Sequence, residues 1–244
     1  MTENNTSIIP TRRTGIVDIW QSWMVEGGKW DEWDIPCCPT TATDPPKALI
    51  PYWEAKTIHR REMRRGNDCY HIDAFVHTYG DDQKFDGIRS GMWQKPDEAI
   101  EVISHYDGLI TPDASTYADF PDPLKRYNTY RMRAFGYYVG RHGIAVINNI
   151  RWGTVETWPY CFCGIEKDSI VAIGTVASNP WRLDNRPLFE EGLREMVRVL
   201  TPRTIIIYGS AGNRIFEELR RAGIRIVDFP SQTNLAFRKA AHHE

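Results

Sequence analysis

Acidic and basic side chains follow several of the apolar runs in this 244-residue chain. Asp81 and Asp82 come after the first well-marked run, Asp113 after the second and Arg151 after the third. Carboxylates beside an arginine suit general acid–base catalysis, a divalent cation or a phosphate-bearing substrate. We therefore predict Asp113, Asp82 and Arg151 as catalytic residues of a hydrolase or phosphodiesterase-like enzyme, and Asp81 with Asp82 as candidate metal ligands. A divalent cation is the candidate cofactor.

Each of these residues also has a structural interpretation. The Asp81–Asp82 pair can form a turn, Asp113 can cap the next segment, and Arg151 can pair with a structural carboxylate. Their shared position at strand ends favours function, because loops at that face of an α/β protein carry binding and catalytic residues. A sugar-directed enzyme is a further alternative, and it requires two carboxylates about 5–10 Å apart across a cleft.

Other polar residues near the predicted strand ends are candidates for substrate binding. Asn128 and Arg131 lie three residues apart and hence on one helix face, where Arg131 suits bracing of the helix better than ligand contact. The turn from Gly209 to Asn213 leads from a strand into a helix, where backbone N–H groups can hold a phosphate, although a plain turn is an equal alternative. The full set of substrate-binding candidates is Asn128, Arg131, Asn149, Trp152, Gly209 and Ser210.

A basic helix and a tryptophan-rich segment offer a different function. The helical pattern from Glu54 to Arg65 carries the cations Lys56, Arg60, Arg61, Arg64 and Arg65. Clustered cations gain affinity for nucleic acid by releasing counterions, and a solvated helix face is the structural alternative. The tryptophans at positions 20, 23, 30 and 33 favour a segment that packs on the main domain over a stacking platform for bases. The alternative function is therefore a non-catalytic nucleic-acid or protein binder.

Cysteine and histidine patterns give weaker signals for metal. The five cysteines form no paired zinc spacing, because Cys161 and Cys163 have only the adjacent Cys37 and Cys38 as partners. His71 and His77 share one side of a predicted strand with Asp73 between them, which satisfied core polar groups explain better than a ligand set.

The positions of all these residues depend on a strand–helix alternation that begins near residue 48. Strands are predicted at 70–79, 107–111, 144–150, 169–176, 204–208 and 224–229, with helices between them. Runs such as SIVAIGTV and TIIIYG are apolar on both faces, as parallel strands covered by helices are. The pattern predicts an α/β TIM-barrel-like or partly open barrel of parallel strands, with a doubly wound parallel sheet as the alternative. ALIPY (48–52) and GIVDIW (15–20) could complete eight strands.

Composition bounds the remaining properties. Apolar residues make up 41% and charged residues 25%, as in a globular protein, and the formal net charge of −2 does not draw the whole chain onto nucleic acid. No apolar run approaches 18 residues and no basic-then-apolar leader opens the chain, so we expect a cytoplasmic protein without a membrane span. Residues 1–46 are predicted as an irregular wrap and residues 47–244 as one α/β domain. Nucleic acid or a phosphate-bearing ligand is the candidate partner.

Several motifs in order resemble one known family. The runs DGLITPDAS, YNTYR, INNIRWG, FCGIEKDSIVAIGTV and PRTIIIYGS are similar to the bacterial and phage family called domain of unknown function 4417, over residues 47 to 230. The resemblance implies a protein carried by phages or other mobile elements and implies no activity. The matching positions are Asp81, Asp82, Asp107, Gly108, Pro112, Asp113, Asn128, Arg131, Asn149, Arg151, Trp152, Cys161, Tyr208, Gly209 and Ser210. Cys163 departs from the family, where Asp is expected.

Overall fold

The computed structural model describes residues 15, 17–89, 91–232 and 234. The strands are β1 (Leu49–Pro51), β2 (Ile72–His77), β3 (Tyr106–Ile110), β4 (Ala145–Asn149), β5 (Ile170–Gly174), β6 (Thr204–Tyr208) and β7 (Arg225–Phe229). The helices are α1 (Tyr52–Arg64), α2 (Pro96–Ile103), α3 (Asp122–Arg141), α4 (Trp158–Cys161), α5 (Arg186–Leu200) and α6 (Arg214–Arg221). Short 3-10 turns occur at Ser22–Val25, Asp82–Lys84 and Val155–Thr157.

The seven strands form one parallel sheet in the order in which they occur in the chain. A doubly wound sheet reverses its strand order at a switch point, so sequential order identifies a curled, partly open barrel. Within the described part of the chain, β1 and β7 do not pair, and the barrel stays open between them. The predicted α/β architecture is confirmed, and ALIPY supplies β1.

The expectation that GIVDIW forms an eighth strand is wrong for the residues that the structure describes. Ile16 lies outside them, Val17 and Asp18 have no regular secondary structure, and Ile19 and Trp20 form a turn. The Asp18 carboxylate accepts hydrogen bonds from both the backbone N–H and the hydroxyl of Ser22. This local side-chain bond competes with sheet pairing, as aspartate commonly does.

Both faces of the sheet are buried, as the continuous apolar runs predict. The helices cover the convex face, where residues such as Phe189, Leu193 and Met196 of α5 pack. The concave face is filled by a second cluster, which consists of Ala42, Phe75, Tyr79, Ile110, Ile147, Ile170, Ala172, Ile206 and Tyr208. The interior is therefore a packed core, and ligands must approach it at the strand ends.

The N-terminal segment enters the sheet between β4 and β5. These strands pair through two residues of each, whereas β5 and β6 pair through five. In the gap, the backbone N–H of Thr41 donates to the carbonyl of Val146, and the Asn148 amide donates to the carbonyl of Cys38. Cys38 packs in the convex-face cluster and Ala42 in the concave-face cluster, so the chain crosses the sheet between them.

Two tryptophans before this crossing, Trp23 and Trp30, pack on α3. Trp23 meets Tyr138 edge-on at 5.0 Å between ring centroids, and Trp30 stacks on Tyr130 at 6.0 Å. Both tyrosines belong to α3, so the segment covers the outer face of that helix. No helix among the described residues is long and apolar enough to cross a bilayer.

Candidate functional site

An ion pair lies at the carboxyl edge of the sheet. Asp113 follows β3 and Arg151 follows β4, and these strands are neighbours, so parallel pairing brings their ends together. Nη1 of Arg151 lies 2.7 Å from Oδ2 of Asp113, and the side chains are only 18% and 8% exposed. The structure therefore brings together the two predicted residues on which the site depends.

A series of hydrogen bonds between buried polar side chains fixes the position of Asp113. The Asn149 amide donates to Oδ1 of Asp113 at 2.8 Å, and the Tyr79 hydroxyl donates to Asn149 at 2.9 Å. Tyr79 stacks on Tyr208 at 4.8 Å. Burial raises the pKa of Tyr79 well above its usual value, and the nearby Asp113 carboxylate raises it further, so the phenol stays neutral and donates.

Asp82 lies on the same rim in a different environment. Its carboxylate accepts hydrogen bonds from the hydroxyl of Ser115 at 3.0 Å and from the backbone N–H of Ser115 at 3.3 Å. Burial raises the pKa of Asp82, and the charge of Asp113 adds to the rise, against the lowering effects of Ser115 and Arg151. Asp82 therefore holds a proton closer to neutral pH than an exposed aspartate does.

The guanidinium of Arg151 has donors left for a ligand. In the part of the chain that the structure describes, the guanidinium makes a single hydrogen bond, from Nη1 to the Asp113 carboxylate. The ring of the half-exposed Tyr117 lies beside the guanidinium, 5.9 Å from its central carbon. An anion that reaches the rim would meet the remaining Arg151 N–H groups next to Asp82 and Tyr117.

Asn128 and Arg131 brace the loop that carries Ser115. The Asn128 amide donates to the carbonyl of Ser115, and Arg131 donates to the Asn128 side chain at 2.7 Å. Arg131 also pairs with Asp86 in the loop after β2. These predicted substrate-binding residues thus support the rim from behind, with Asn128 buried and Arg131 15% exposed at its side chain.

The remaining predicted rim residues have mainly structural contacts. Asp81 is largely exposed and pairs with Lys84 at 3.4 Å. Trp152 packs on Phe162 and Phe189.

The Gly209–Ser210 turn is closed by its neighbours. The N–H of Gly209 donates to Phe229 and the N–H of Ser210 to the Thr175 hydroxyl, so both of these groups are already used. Gly209 has a φ of +126°, and a Cβ there would lie 2.3 Å from the Thr175 hydroxyl oxygen. Glycine is therefore needed for close packing of this turn.

The four arginines of the basic cluster lie toward the other end of the sheet, in the second half of α1 and at its C-cap. Because α1 follows β1, its first turn lies at the carboxyl edge and its last turn at the amino edge. Arg61 and Arg65 both pair with Glu62. Lys56 is half-buried, whereas Arg60 and Arg64 are exposed. The structure thus separates the arginines of the basic cluster from the rim.

Arg133 is a buried support that sequence patterns do not identify. Its side chain is 0% exposed, and it donates to the backbone carbonyls of Asn149, Cys161 and Cys163. An arginine at this position of α3 is what the sequence of a solvent-facing helix surface would show. The three backbone carbonyls that surround it are brought together only in the folded chain. Among the described residues, Cys161 and Cys163 join no group of three or more candidate metal ligands.

These features define a class of protein: a parallel α/β half-barrel with a carboxylate–arginine centre at its carboxyl edge. The chain belongs to the family described as Domain of unknown function (DUF4417), which matches residues 29–230. The predicted resemblance is confirmed, and the match also includes the segment that crosses the sheet.

Similar curated proteins come from phages. The chain is 31% identical over 134 residues to the Gene 1 protein of Mycobacterium phage L5, covering 55% of this chain and 56% of that protein. The Gene 1 protein of Mycobacterium phage D29 is also 31% identical over 134 residues, covering 55% of this chain and 48% of that protein. The chain thus spans about half the length of these curated relatives. No solved structure matches the chain.

Proposed function

We propose that the carboxyl rim binds a phosphate-bearing substrate and hydrolyses it. The observation that carries this proposal is the Arg151 guanidinium, which Asp113 fixes at the strand ends while its other N–H groups remain available beside Asp82. Arginine matches the geometry of phosphate oxygens, and a fixed guanidinium needs little reorganisation to stabilise charge that develops in the transition state.

The two carboxylates have different roles in this proposal. Asp113 orients Arg151, because both of its oxygens already accept hydrogen bonds. Asp82 is the proton donor, because its pKa is raised by burial. Water attacks phosphorus and the ester P–O bond breaks. The leaving oxygen takes the proton of Asp82, and the proton released by the attacking water restores it.

The test is hydrolysis of bis(4-nitrophenyl) phosphate by the full chain, with and without added Mg²⁺ or Mn²⁺. Removing a general acid typically lowers the rate about 10²–10⁴-fold, and we expect a loss of this order for Asp82→Asn. The control is Asp68→Asn, which changes an exposed aspartate before β2, at the amino edge. Equal rates for Asp82→Asn and the parent chain, or no turnover by the parent under any of these conditions, contradict the proposal.

A second candidate function, nucleic-acid binding by α1, has one observation in its favour. Arg60 and Arg64 are exposed, lie four residues apart on one face of the helix, and form no ion pair with a described residue. Unpaired exposed arginines at this spacing suit phosphate contacts along a nucleic-acid backbone.

A further inference from the structure

Three side chains with metal-binding atoms meet at the amino edge of the sheet, away from the rim. They are His71, which precedes β2, Asp73 within β2, and Asp107 within β3. One ligand atom from each lies within 4.8 Å of the other two. Nε2 of His71 is 2.9 Å from an Asp107 oxygen and 4.0 Å from an Asp73 oxygen.

We propose that His71, Asp73 and Asp107 form a site for a divalent transition-metal ion, with Zn²⁺ as the best fit. Ligands at about 2.1 Å from a tetrahedral zinc ion are about 3.4 Å apart from one another. The longest separation must therefore shrink by about 1.4 Å, which small side-chain rotations of partly exposed aspartates provide. One imidazole nitrogen with two carboxylates suits Zn²⁺ better than Mg²⁺ or Ca²⁺, which prefer oxygen alone.

The pairing of β2 with β3 brings the three positions together. Ile72, between His71 and Asp73, pairs with Tyr106, and Asp107 is the next residue of β3. The N–H of Ile72 also donates to the carbonyl of His105 at 3.0 Å. Asp73 lies in a β-bulge, because β2 advances three residues from Ile72 to Phe75 while β3 advances two from Tyr106 to Gly108. The ligands thus come from adjacent strands, and a bound ion would link β2 to β3.

A cation already lies against this cluster. Nζ of Lys47 is 3.3 Å from the second oxygen of Asp73. With a neutral histidine, two carboxylates and one ammonium leave a local charge of about −1, which attracts a divalent ion. Lys47 therefore competes with the metal, and its removal should strengthen metal binding rather than weaken it.

The ligand set of His71 with His77, which the sequence favoured less than buried core polar groups, does not form. His77 is buried among the aromatic rings of the concave face, with Tyr208 at 4.6 Å between centroids. The partner of His71 is Asp107, which lies 36 residues away in the sequence. The six residues of β2 also separate the cluster from the rim by about 20 Å, since a strand rises about 3.3 Å per residue. The site is therefore independent of the proposed hydrolase.

The experiment is calorimetric titration of the full chain with Zn²⁺, and separately with Mg²⁺ and Ca²⁺. All variants carry Cys69→Ser, His242→Ala and His243→Ala, because an exposed thiol near the cluster and two C-terminal histidines could bind zinc themselves. We expect one Zn²⁺ per chain, at least tenfold weaker binding in His71→Ala and in Asp107→Asn, and tighter binding in Lys47→Ala. The matched control is His142→Ala, whose affinity should equal that of the background.

Unchanged Zn²⁺ affinity in both His71→Ala and Asp107→Asn overturns the site. Weaker binding in Lys47→Ala overturns the competition argument, and Mg²⁺ binding as tight as Zn²⁺ overturns the choice of metal. Circular dichroism of each variant distinguishes lost binding from lost folding. If His71→Ala fails to fold, Asp107→Asn and Lys47→Ala still test the proposal with opposite expected signs.

Discussion

Removing one partner of the Asp113–Arg151 ion pair should cost far more stability than removing one partner of an ion pair on the surface. Its side chains are 8% and 18% exposed, so each partner has lost most of its hydration. Removing one partner of such a pair leaves an uncompensated buried charge and typically costs about 3–5 kcal/mol, against about 0–1 kcal/mol for an exposed pair. Asp113→Asn keeps the shape and the oxygen that accepts from Asn149, but it removes the charge and the oxygen that accepts from Arg151.

We expect Asp113→Asn to lower the free energy of unfolding by about 3–5 kcal/mol, or Tm by about 6–20 °C for a chain of this size. Arg151→Met should also be destabilising, because it leaves the carboxylate without its cation. In the double variant neither charge remains, so its loss should be smaller than the sum of the single losses by about 2 kcal/mol or more.

The assay is urea unfolding at pH 7 of the parent, both single variants and the double variant. The same cycle on Asp81→Asn and Lys84→Met provides the control, because that pair is 3.4 Å apart and its side chains are 81% and 47% exposed. A coupling energy below about 0.5 kcal/mol for Asp113 and Arg151, equal to that of the surface pair, would refute the reasoning.

Three further predictions concern other parts of the molecule. Burial lowers the pKa of His77 to about 3, below its unfolded value, so stability should fall as the pH drops from about 6 towards 4, by up to about 1.4 kcal/mol per pH unit. His77→Asn, which can still accept from the N–H of Tyr79, should flatten this part of the stability–pH curve, and an unchanged slope would show that another group causes it. Gly108→Ala should destabilise the protein by about 3 kcal/mol, because the added Cβ would lie 2.4 Å from the Phe75 ring. Gly140→Ala in α3 should stabilise it by about 0.5–1 kcal/mol, because the nearest atom to the added Cβ is 3.8 Å away and alanine favours the helix. Thermal unfolding compares the two variants. If α1 binds single-stranded nucleic acid, the double variant Arg60→Gln with Arg64→Gln should reduce the slope of the logarithm of the binding constant against the logarithm of the salt concentration by about 1.4. Absence of binding at low salt would contradict the nucleic-acid-binding function.

Local sequence patterns were sufficient for the secondary structure and the fold class. The run from Thr204 to Tyr208 has three consecutive isoleucines between Thr204 and Tyr208, and it forms β6 with the predicted limits. Strand–helix alternation in a chain of parallel strands leaves few topologies, because crossovers share one hand and consecutive strands tend to be neighbours. GIVDIW shows where this reasoning ends, because one aspartate side chain bonded to a backbone N–H outweighs an apolar pattern.

The sequence by itself determined that Asp82, Asp113 and Arg151 would follow strand ends, because that depends only on where each apolar run stops. Only the tertiary structure decided which partner each one has: Arg151 pairs with Asp113, Asp82 bonds to Ser115, and Asp81 faces solvent. Three contacts join residues that are 36 to 105 positions apart in the sequence. They are the hydrogen bonds of Tyr79 with Asn149, of Thr41 with Val146 and of His71 with Asp107. Such contacts depend on strand register and side-chain rotamers across the sheet, and a periodic pattern along one strand contains no information about its neighbour.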